Sequence, residues 1–156
     1  RVFHASAALI SAAPASTFTQ VDKFDAATGE NSFGKLVQDK NGALYGTAYF
    51  FGPDSHGVVF RLSPPAQGKT KWTCDILYSF TGGADGAGPN GGLLMDKSGA
   101  LYGTASQGGA NNSGVVFALM RPSKGQTDWT ETVLYNFTAA EGNPNGSLLR
   151  DSDGNL

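Results

Sequence analysis

The sequence predicts an all-β repeat fold, and three observations predict it. The first is duplicated text: Asp39-Lys40-Asn41-Gly42-Ala43-Leu44-Tyr45-Gly46-Thr47 returns as Asp96-Lys97-Ser98-Gly99-Ala100-Leu101-Tyr102-Gly103-Thr104, and a third copy opens at Asp151-Ser152-Asp153-Gly154-Asn155-Leu156. The interval is 57 residues from Tyr45 to Tyr102 and 55 from Gly99 to Gly154, and a fixed period in this range marks a repeat architecture. The second is composition: 22 glycines with only 15% charged residues in 156 favour short strands and tight turns over helices. The third is that no window places apolar residues at helical spacing over several turns.

Composition also excludes several classes of function. A net charge of −2, with eleven basic residues scattered along the chain, leaves no stripe to track a phosphate backbone, so nucleic acid is not the expected partner. No apolar run approaches the length of a membrane-spanning helix. The single cysteine, Cys74, rules out an internal disulfide, and its counterpart in the next copy is Glu131, which reads as a position that tolerates charge. A 40% hydrophobic content is enough for a core.

Taken in order, residues 1–16 are Ala- and Ser-rich and end in Ala13-Pro14-Ala15. This is either the remnant of a secretion signal or a leader outside the fold. Residues 17–156 carry the repeat: 17–25 is the last strand of one unit, 34–81 and 91–138 are full units, and 146–156 begins the next. Within the unit 91–138, the first strand is Gly92 to Met95, followed by a turn from Asp96 to Gly99. Asp at the first position and Gly at the fourth suit a type I turn whose glycine takes the left-handed conformation. Asp39, Gly42, Asp96, Gly99, Asp151 and Gly154 are therefore structural turn residues. Asp151-Ser152-Asp153 also looks like the start of a calcium loop, but the other copies lack the second acid, and no metal is expected.

The second strand carries Leu101-Tyr102-Gly103-Thr104, where Gly103, like Gly46, leaves room for another backbone or sheet to approach. The third is Gly114 to Leu119, copied from Gly57 to Leu62. The fourth starts at Trp129, and alternation puts Trp129, Glu131, Val133, Tyr135 and Phe137 on one face. Four short strands per unit, radially stacked, describe the blade of a β-propeller, so the fold expected is a partial β-propeller of four-stranded antiparallel blades. Closure takes at least about four blades, which makes a piece of a longer protein the expectation.

Asp-x-x-Gly-x-Leu-Tyr-Gly-Thr, then Gly-Val-Val-Phe, then Trp-Thr-x-x-x-Leu-Tyr-x-Phe, resembles the Gloeobacter–Verrucomicrobia tandem repeat of the "choice-of-anchor GloVer" proteins. The hairpin also resembles propeller repeats of two-component sensors. The resemblance covers Phe18 to Leu156 and implies an exported bacterial protein, secreted or at the cell surface. It brings no catalytic residue and no cofactor.

In such a blade, the links between units (Thr81 to Gly91, Thr138 to Gly146) and the loops between second and third strands (Tyr49 to His56, Ser106 to Ser113) emerge at one end. Variable loops on a rigid scaffold are where binding sits. The candidate binding residues are Asp54, His56, Asp85, Asn90, Asn111, Asn112 and Asn145, suited to hydrogen-bonding a glycan or a protein. The competing reading is that Asn, Asp and Gly simply serve the turns. Glu30, Glu131 and Glu141 sit in unrelated places, so the carboxylate pair of a glycosidase is not evident. The leading reading is a non-enzymatic binding scaffold. A fragment of a secreted propeller hydrolase or lyase, and the sensor domain of a larger anchored protein, are the alternatives.

Overall fold

A computed structural model of the chain describes residues 34–156; the expected leader 1–16 and the strand at 17–25 lie outside them. Nine strands and no helix occur among the described residues: β1 Val37–Gln38, β2 Leu44–Ala48, β3 Val58–Ser63, β4 Thr73–Ser79, β5 Ala87–Pro89, β6 Leu94–Met95, β7 Leu101–Gln107, β8 Val115–Met120 and β9 Thr130–Asn136. They form two antiparallel sheets, one ordered β1-β2-β3-β4, the other β5-β7-β8-β9 with β6 also paired to β7. The two sheets share one register. Val37 faces Tyr45 as Leu94 faces Tyr102, and Leu44 faces Leu62 as Leu101 faces Leu119.

The hairpins are set by the turn chemistry. Asp39 N–H donates to Ala43 O and Gly42 N–H to Asp39 O, and the same two bonds recur at Asp96 and Asp151. Gly42, Gly99 and Gly154 have φ of 84°, 84° and 92°, a region that L side chains enter only at a cost.

Three expectations are corrected. The link Thr81 to Gly91 is not all loop: Ala87–Pro89 is a buried strand that pairs with the far end of β7. Proline tolerates such an edge position because it has no N–H to offer. The fourth strand does not keep one face. A bulge falls between Val116 and Phe117, pairing Phe117 with Val133 and Val116 with Tyr135. The extra residue, Leu134, moves Tyr135 to the face opposite Val133. The first sheet carries the same bulge between Val59 and Phe60. Finally, Gly46 and Gly103 make room within their own sheets: a Cβ would lie 2.7 Å from Phe60 Cζ at Gly46 and 2.7 Å from Phe117 Cζ at Gly103.

The larger core lies between the sheets. Ala43, Tyr45, Val59 and Phe80 of the first unit meet Leu93, Leu101, Ala105, Val115, Phe117 and Leu119 of the second. Phe80 and Phe117 contact edge to face at 5.1 Å. A second cluster, Ala48, Val58, Phe60 and Leu62, lies on the opposite face of the first sheet.

Backbones converge at one edge of this core. A Cβ on Gly34 would lie 2.6 Å from Gly91 O, and one on Gly91 would lie 2.5 Å from Gly146 O. Thr47 Oγ1 donates to Gly91 O, and Thr104 Oγ1 to Gly146 O. Gly57 packs on Pro89 as Gly114 packs on Pro144. Residues 144–146 thus meet the second unit as 89–91 meet the first.

Replacing Gly91 with Ala forces a methyl against a carbonyl, a clash that backbone can relieve only by shifting. The expected loss is about 1–3 kcal/mol in urea unfolding. Gly146, with nothing within 4 Å of its Cβ position, is the control, and its Ala variant should stay within about 0.5 kcal/mol of the parent.

Candidate functional site

At one end of the sheets, each aspartate turn is closed by its own side chain. Asp39 Oδ1 accepts from Asn41 N–H and Ala43 N–H, and its Oδ2 accepts from Tyr45 OH at 3.0 Å. Asp96 is held the same way by Ser98, Ala100 and Tyr102 OH. At Asp151 the side-chain amide of Asn155 donates to Oδ2. Burial opposes ionisation of Asp39, but the bonds from Asn41, Tyr45 and Ala43, with Arg121 nearby, outweigh it and hold the carboxyl below its ordinary value. These carboxylates are occupied by the fold, and no cluster of three or more His, Cys, Asp or Glu stands ready for a metal among the described residues.

At the other end, backbone bonds join both loops to the first link. Gly88 N–H donates to His56 O, and Gly109 N–H to Gly83 O. Three of the predicted binding residues, Asp85, Asn90 and Asn111, are held by bonds within the fold. Asp85 clamps its own link: Oδ2 accepts from Tyr78 OH at 3.0 Å and Thr81 N–H at 2.8 Å, and Oδ1 from Thr81 Oγ1 at 2.6 Å. Glu141 repeats this clamp with Tyr135 and Thr138. The signal was present in both copies as Tyr-x-Phe-Thr followed by an acid, hidden by a change of acid and of spacing.

The ring of His56 lies against Gly82 of the same link. Asn90 Nδ2 donates to Asn145 Oδ1 at 2.6 Å, joining two successive Pro-Asn-Gly turns, while Asn90 Oδ1 is buried without a partner. Asn111 donates to Phe137 O. Asn112 takes a left-handed turn position at φ 51°, and Asp54 stands exposed beside Ser55 at φ 57°. Sequence reasoning missed an aromatic pair here: Phe50, 56% exposed, meets Tyr49 edge to face at 4.4 Å, and Tyr49 OH accepts from Gln107.

The seam between the units was also missed. Arg121, which follows β8, donates to Gly99 O and to Tyr45 OH, stands 3.7 Å from Asp39 and lies over the rings of Tyr45 and Trp129. Beside it runs a cleft of about 650 Å³ walled by Arg61, Asp75, Tyr78, Arg121, Asp128 and Trp129. Within the seam, paired with Leu119, stands Glu131. Its Oε1 is buried without a hydrogen-bond partner. Burial, and then the nearby Asp85 carboxylate, push its pKa up to about 7. The position does not tolerate charge freely, contrary to the reading from Cys74.

The model of the Gloeobacter/Verrucomicrobia repeat matches residues 5–156. The chain belongs to the Gloeobacter/Verrucomicrobia repeat family. No curated protein and no solved structure matches it. The turn aspartates, the seam glycines and the acid clamps are therefore parts of a Gloeobacter/Verrucomicrobia repeat unit, and no helix among its described residues is long and apolar enough to cross a membrane.

Glu131 gives this repeat pair a pH dependence of definite sign. A carboxyl whose folded pKa is raised adds stability that is complete below its ordinary value of 4.5 and is lost as pH climbs through about 7. Urea midpoints should therefore fall between pH 5 and pH 8 by the equivalent of about 1 kcal/mol, discounted for the partial exposure of the group. Glu131→Gln should flatten that slope; an unchanged slope in the variant would refute the assignment.

Proposed function

We propose that this Gloeobacter/Verrucomicrobia repeat chain is a non-enzymatic scaffold outside the bacterial cell, its units fanned as blades of a β-propeller, which binds a glycan or a protein at the end formed by loops and links. The observation that carries the reading is the recurrence of the seam. The glycine contact, the threonine bond and the glycine–proline contact hold the second unit to the first, and each recurs between 144–156 and the second unit. A joint that repeats the same contacts turns each step alike, and convergence of backbones at the glycine edge suits a fan.

Each joint delivers its loops to the same end. There the two loops and the first link are tied together by backbone bonds, so a ligand meets a formed surface, which lowers the ordering cost of binding. That surface offers the exposed ring of Phe50 beside Tyr49, whose hydroxyl accepts from the Gln107 amide. A flat ring beside polar groups suits the apolar face and hydroxyl rim of a sugar.

Screening the chain on an immobilised polysaccharide and glycan panel tests this reading. Retention on at least one glycan is expected, with loss in Phe50→Ala at an unchanged urea midpoint. Silence across the panel removes the glycan form of the proposal, and retention that survives Phe50→Ala removes the loop end as its site.

A further inference from the structure

The cleft between the two units is lined by charge from both. Arg61, on β3, pairs across the ladder with Tyr45, and Arg121 of the second unit donates to the Tyr45 hydroxyl at 3.0 Å, so one phenol neighbours both guanidiniums. Arg61 gives two bonds, from Nε at 3.2 Å and from Nη2 at 2.8 Å, to a single oxygen of Asp75, Oδ2. The two side chains of that pair remain 37% and 46% exposed. Asp128 and Trp129 line the cleft from the second unit.

The joint does not need these charges. The second sheet builds the same ladder with Ala118 opposite Tyr102 and Thr132 opposite Ala118, where the first has Arg61 opposite Tyr45 and Asp75 opposite Arg61. An ion pair this exposed adds little stability. The lining is also balanced, two arginines against two aspartates. A phosphate or carboxylate would meet both signs at close range and gain little.

We infer that this cleft is a binding site for a neutral oligosaccharide. Sugar hydroxyls donate and accept at once, so adjacent hydroxyls can accept from a guanidinium and donate to the carboxylate beside it. Hydrogen bonds with an ionised partner are the stronger kind. The indole of Trp129 supplies apolar surface for a sugar ring. The volume, about 650 Å³, falls within the roughly 300–1,000 Å³ of small-ligand sites. The inference goes beyond the loop-end reading, since Tyr49, Phe50 and Gln107 do not line this cleft.

The test uses Trp129 as the reporter. The chain has two tryptophans, and Trp72 packs against the cluster on the opposite face of the first sheet, so Trp72→Phe leaves Trp129 as the sole indole. Titration of that chain with cellotetraose, xylotetraose and mannotetraose should give a saturable change in emission with at least one of them. Arg61→Ala and Asp75→Asn should each weaken that titration about tenfold, with urea midpoints close to the parent. No saturable change with any of the sugars overturns the inference, as does a titration that neither variant weakens. An equal response to sodium sulfate overturns it by making the cleft an anion site, and loss of the response in Phe50→Ala overturns it by moving the sugar to the loop end. Phe50-dependent retention on the immobilised panel is read separately, so the two proposals fail independently.

Discussion

Burial of one sheet's aromatic face by the next is the constraint on which the rest of the structure depends. A sheet of four short strands with apolar residues on both faces has too little interior of its own. In the first unit Tyr45, Val59 and Phe80 are removed from water by Leu101, Phe117 and Leu119 of the second. At roughly 25 cal/mol per Å² of apolar surface, each large side chain buried there contributes about 1.5–3 kcal/mol. That gain requires the sheets to approach closely, which explains the glycines at 34, 91, 57 and 114. It also explains the bulges, which turn the outer strand so that Tyr78 faces the seam while Ile76 faces away.

Much of the fold was legible because it rests on local chemistry. An aspartate three residues before a glycine, ahead of an alternating strand, has few conformations open to it, and the turns at Asp39, Asp96 and Asp151 follow. Strand order within each unit follows from the lengths of the connections. The bulges were not legible. Leu77 and Leu134 extend the alternation by residue type, and only pairing with β3 and β8 reveals the additional residue. The strand at Ala87–Pro89 was hidden by its composition, since Gly and Pro read as loop until their partner on β7 is known.

The site was less legible for a related reason. Asn, Asp and Thr in loops serve backbone and ligand with the same atoms, and the sequence does not say which has claimed them. Asp85 is claimed by Tyr78 and Thr81, Asn111 by Phe137 O, and Asn90 by Asn145. Conversely, the pairing of Cys74 with Glu131 read as a position that tolerates charge. A carboxyl at that position stands between two sheets with an unpaired oxygen, a cost that no one-dimensional comparison of the copies displays.

Where the copies agree and where they differ sort by place. The seam residues repeat: Tyr45 with Tyr102, Thr47 with Thr104, Phe60 with Phe117, Leu62 with Leu119, Pro89 with Pro144. The charged residues of the cleft do not. Arg61 and Asp75, ion-paired at 2.8 Å, become Ala118 and Thr132, and Arg121 stands where the first unit has Pro64. A joint that must bury the same face at every step admits few substitutions, because each alters volume in a closed interior. A groove open to solvent carries no such restriction, so its charge can differ from seam to seam at little cost in stability. The repeat can therefore vary the charge it presents without touching the contacts that hold it together.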